Sequence, residues 1–80
     1  MAHGAIPRVV PGLHKRSVSL AGHATSLALE PEFWAMLEGM AHARALTLPS
    51  LIGWVDAQRG ERSLASACRV AALKFAAVGT

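Results

Sequence analysis

The feature that most constrains this chain is a change of hydrophobic period between Lys15 and Ala41. Val18 and Leu20 alternate with Ser17 and Ser19, and Thr25, Leu27 and Leu29 alternate with Ser26 and Ala28. After Glu30-Pro31 the apolar residues fall instead at Phe33, Leu37, Met40 and Ala41. Strand side chains point to alternate faces, whereas helical ones return to one face every three or four residues, so a one-sided ribbon feeds an amphipathic helix. The in-facing ribbon residues sit at even positions first and at odd positions later. An uninterrupted pleat cannot change parity, so Ala21-Gly22-His23-Ala24 must hold a turn or bulge, with Gly22 as its hinge.

Further along, Pro31 suits the first turn of helix one, and Glu30 and Glu32 place negative charge at the positive end of its dipole. That helix is expected to end near Arg44, although a glycine would be the usual stop. Thr47 or Leu48 opens helix two, with Thr47 as cap, Pro49 in the first turn and Leu48, Leu51, Ile52 and Val55 on the buried face. Gly60 closes it. Ser63 caps a third helix running to about Val78, with Leu64, Ala67, Cys68, Ala71, Phe75 and Val78 as its apolar stripe. Residues 1–14 hold Gly4, Pro7, Pro11 and Gly12 with little periodicity and read as a flexible arm before a domain at 15–80.

Eighty residues allow one domain, and a chain this short buries only about 60 to 65% of its unfolded surface. The hydrophobic content of 52% is inflated by 16 alanines, and only four aromatics are present, Phe33, Trp34, Trp54 and Phe75. A homodimer is therefore expected, with both tryptophans packed within it. Arg69 and Lys74 interrupt the longest apolar helix, so no membrane span is expected. The N-terminus lacks the basic-then-apolar pattern of a secretion signal, and the single Cys68 lies on an apolar stripe as a buried small hydrophobe; both point to a cytoplasmic protein.

The net charge of +3 is unevenly placed. Arg8, Lys15 and Arg16 precede every acid, since the first carboxylate is Glu30. A positive ribbon end suits an anionic partner, most simply a nucleic-acid backbone. His3, His14, His23 and His42 have neither helical pairing nor companion cysteines, so no metal or other cofactor is expected. Ser17, Ser19 and Ser63 have no base motif nearby and no phosphate-binding glycine loop is present, which points away from an enzyme and from a small-molecule substrate.

The order of a strand, a helix, a tight connection and a second capped helix resembles the ribbon-helix-helix DNA-binding family, the fold of the Arc and methionine repressors. The stretches KRSVSLAGHATSLALEPEFWAML, LTLPSLIGWVDAQRG and SLASACRVAAL are similar to a small bacterial subgroup of it, over about residues 14 to 75. The resemblance implies a mainly α fold with one short β-ribbon, a two-stranded antiparallel sheet formed between two chains, and here an added third helix. It also implies a transcriptional regulator whose homodimer, or a higher oligomer on DNA, inserts the ribbon into the major groove of double-stranded DNA. The ribbon contacts would be Lys15, Arg16, His23, Ala24, Ser26 and Ala28. A phosphate would sit on the start of helix two, at Thr47, Leu48 and Ser50. This chain departs from the family's larger polar or basic reading residues at Ala24 and Ala28. A dimeric protein-interaction module on the same fold, antitoxin-like or without DNA binding, is therefore the alternative.

Overall fold

The computed structural model describes residues 12–78; the arm, with His3 and Arg8, lies almost wholly outside them. The chain opens with an antiparallel hairpin, β1 His14–Leu20 and β2 His23–Leu29. Its loop is the dipeptide Ala21-Gly22, and both residues have positive φ, 51° and 83°. That pair of values is what a type I′ turn needs, and such a turn matches the twist of the strands it joins. Gly22 adopts it freely, whereas Ala21 carries a Cβ penalty.

The hairpin corrects one expectation. The two-stranded sheet is present, but both strands come from one chain instead of one from each of two. A two-residue loop brings β2 onto β1 at minimal closure entropy, so no second chain is needed to satisfy this ladder. The register also explains the parity change. Val18 faces Thr25 and Arg16 faces Leu27, so even residues of β1 share a face with odd residues of β2.

Helix α1 spans Pro31–Ala43, α2 Leu48–Gln58 and α3 Leu64–Val78. The Thr47 side chain accepts a hydrogen bond from the Ser50 N–H at 3.2 Å, and Ser63 Oγ accepts from the Ser66 N–H at 3.1 Å, so both expected caps form. Helix α1 ends without a glycine. The Leu46 N–H donates to Ala41 O and the Ala45 N–H to His42 O, which is a Schellman closure with Ala45 at φ 57°.

Val18, Leu27 and Leu29 meet Trp34, Leu37, Met40 and Ala41 of α1, Leu51, Ile52 and Val55 of α2, and Ala67, Cys68 and Ala72 of α3 in one core. Two stripe assignments shift. Trp34, expected off the main stripe and packed in a dimer, is 1% exposed inside this single chain, while Phe33 is half-buried. The reason lies in β1: it covers the indole, whose Nε1–H donates to the His14 carbonyl at 2.9 Å. Val78, expected on the stripe of α3, is 83% exposed because the helix runs past the core. Glu30 ties the β2–α1 junction to α3, since Oε1 accepts from Arg69 Nε at 3.0 Å.

Candidate nucleic-acid interface

The hairpin has one face on the core and one toward solvent. By register the outward pairs are Lys15 with Ala28, Ser17 with Ser26, and Ser19 with Ala24. Lys15, Ser17, Ser19, Ala24 and Ser26 are exposed and Ala28 is half-buried. This surface carries hydroxyls, one ammonium and small methyl groups, and no carboxylate. It can donate to or accept from base edges and phosphates, and its alanines can approach a thymine methyl.

The expected ribbon residues therefore divide. Lys15, Ala24, Ser26 and Ala28 are brought together on the outward face. Arg16 and His23 pair with Leu27 and Leu20 on the other side. Arg16 is also committed elsewhere. Its Nη1 donates to Glu38 Oε2 at 2.8 Å, and its guanidinium lies 4.5 Å from the centroid of the Trp34 ring. Ser17 and Ser19 were not among the expected site residues, although they complete this face. The signal for them was the parity change itself: a two-residue loop at Ala21-Gly22 puts odd residues of β1 beside even residues of β2.

The start of α2 offers less backbone than expected. Pro49 has no N–H, the Ser50 N–H is bound to Thr47 Oγ1, and the Leu51 N–H donates to Thr47 O at 3.0 Å. The Thr47 hydroxyl itself donates to Ser50 Oγ at 2.9 Å. The amides of Thr47 and Leu48, with the dipole of an 11-residue helix behind them, are what remains for an anion.

Cys68 is fully buried, and burial, aided by Asp56, pushes its thiol up to about 11 against a weaker opposing pull from Arg69. A thiol so placed stays protonated and is a poor nucleophile. Among the described residues no group of three or more His, Cys, Asp or Glu could hold a metal ion, and no helix is long and apolar enough to cross a membrane.

No curated protein and no solved structure matches the chain. A family model described as a ribbon-helix-helix domain matches residues 13–76 and so reaches all five elements. With the hairpin, α1, the tight Ala45 connection and the Thr47-capped α2 in the family's order, the chain belongs to the ribbon-helix-helix domain family.

Proposed function

We propose that this protein is a non-enzymatic DNA-binding transcriptional regulator that acts as a homodimer and lays its hairpin in the major groove. The observation that carries the reading is the outward face of the hairpin, exposed, free of carboxylates and bearing Lys15, Ser17, Ser19 and Ser26. A two-stranded ribbon fits the width of the major groove, and here each chain owns a complete one. Lys15 supplies a phosphate contact, while Ser26 and Ser17, directly opposite each other, are the polar pair closest to a reading element. The Thr47–Leu48 amides at the start of α2 supply a second backbone contact. Arg16 stands outside the interface and braces the hairpin on α1.

With two alanines on the face, no bidentate pair worth about 1 to 3 kcal/mol per base is available. Affinity should thus be dominated by phosphate contacts and fall as salt rises. The test is fluorescence anisotropy with random and genomic duplexes across a salt series. Lys15→Ala should weaken all duplexes alike and flatten the salt slope, while Ser26→Ala should change the ranking of sequences. Absence of binding at low salt would overturn DNA recognition and leave the dimeric protein-interaction module, which the featureless Ala24 and Ala28 favour.

A further inference from the structure

A trough of about 540 Å³ lies among the C-terminal end of α1, α2 and α3, and none of its lining residues belongs to the hairpin. Ala67 and Ala71 contribute small side chains to its lining on α3. Trp54 and Phe75 contribute aromatic side chains to the lining, and Trp54 is 45% exposed. Along α3 the lining runs from Ala67 to Val78, about 16 Å at the rise of an α-helix, or three turns.

The charge at this site has one sign. Arg44, Arg59, Arg62 and Lys74 line it and no carboxylate does. Arg44 leans over the Trp54 ring at 5.4 Å. Arg59 is partly neutralised by Asp56 at 2.6 Å, but among the described residues no ion pair involves Arg44, Arg62 or Lys74. A second copy is a poor occupant, because a two-fold contact would set these cations against their own equivalents. An apolar groove three turns long with cationic edges instead matches a helix with an apolar stripe and acidic flanks.

We propose that this trough receives an acidic amphipathic helix of a partner protein, on a surface separate from the hairpin and independent of whether the hairpin binds DNA. The apolar lining takes the apolar stripe, and Arg44, Arg62 and Lys74 take the flanking carboxylates.

The experiment titrates the whole protein into a labelled synthetic peptide of about four helical turns, with leucines on one face and glutamates on its flanks. A second peptide keeps the leucines and replaces glutamate with lysine. The acidic peptide should bind at least about tenfold more tightly, and binding should shift the Trp54 emission to the blue. Arg62→Gln/Lys74→Gln should weaken it about five- to tenfold. Ala35→Glu/Gly39→Glu makes the same change in net charge at two exposed α1 positions outside the trough, and should change affinity less than about twofold. Ala71→Trp, which fills the trough, should abolish binding.

Unfolding midpoints establish that each variant is folded before affinities are compared. Equal binding of both peptides, no binding of either, or equal loss in the two double variants would overturn the proposal. So would a blue shift of Trp54 with protein concentration alone, which would assign the trough to a second copy. Displacement of the peptide by duplex DNA, or equal affinity for anionic vesicles, would do the same. Failure of the hairpin to bind DNA leaves these readouts untouched, so the two ideas fail separately.

Discussion

Ala45 holds a conformation that glycine would hold at less cost. At φ 57° it closes α1 through the two Schellman hydrogen bonds, and a Cβ in the left-handed region costs about 1 to 2 kcal/mol. Ala45→Gly removes that strain but returns about 0.4 to 1 kcal/mol of unfolded-chain entropy. The expected net is a stabilisation of up to about 1.5 kcal/mol, read as a rise of several degrees in the thermal midpoint. A fall in midpoint would show that this residue is unstrained.

Arg16 and Lys15 are neighbours in sequence on opposite faces of β1. Arg16 pairs with Glu38 and stacks on Trp34, yet the ion pair is substantially exposed at 41% and 53%, so solvent screens much of its worth. Arg16→Ala should cost no more than about 1 kcal/mol in urea unfolding, and Lys15→Ala less than about 0.5. Cys68 sets a pH limit. Its folded-state thiol, near 11, lies above the ordinary value of 9.0, so the folded chain keeps a proton that the unfolded chain releases. The stability that follows is complete below about pH 9 and is lost as pH rises through about 11. Cys68→Ala should flatten this alkaline decline in urea midpoints. An unchanged decline would place its origin elsewhere.

Among the elements, the hairpin is the one whose local chemistry is least settled. Its loop takes positive φ at Ala21 as well as Gly22, and type I′ loops favour asparagine or aspartate before glycine. Ala21→Asn should stabilise by about 0.5 to 1 kcal/mol without moving the register, which chemical shifts of Val18 and Thr25 would check. Much of the element structure was legible because local signals agreed with the fold. The Thr47 and Ser63 caps, Pro31 and Pro49 in first turns, and the Leu51, Ile52, Val55 face all sit where propensity and periodicity put them. The α1 stripe was less legible. Phe33 and Trp34 are adjacent, and which one enters the core depends on β1 lying across the helix. No pattern within residues 31–43 contains that information.

At the scale of the whole molecule, the chain carries its own core. The described core is closed within one chain by contributions from both strands and all three helices. A proposed homodimer nevertheless adds stability through mass action, so the thermal midpoint should rise with protein concentration over a range of about a hundredfold. A midpoint independent of concentration would remove the dimer from the functional proposal and leave a monomer carrying its own ribbon.

The sequence by itself determined the elements and their order. Hydrophobic period, caps and prolines act over a few residues, and within that range each of them pointed the same way. It also carried the parity change that puts Ser17 and Ser19 on one face with Ser26. Tertiary structure alone decided that Arg16 turns away from Lys15 to Glu38 and Trp34, and that four cations gather around an apolar trough. Those outcomes depend on residues far apart in the chain meeting in space, and short-range pattern has no access to such meetings.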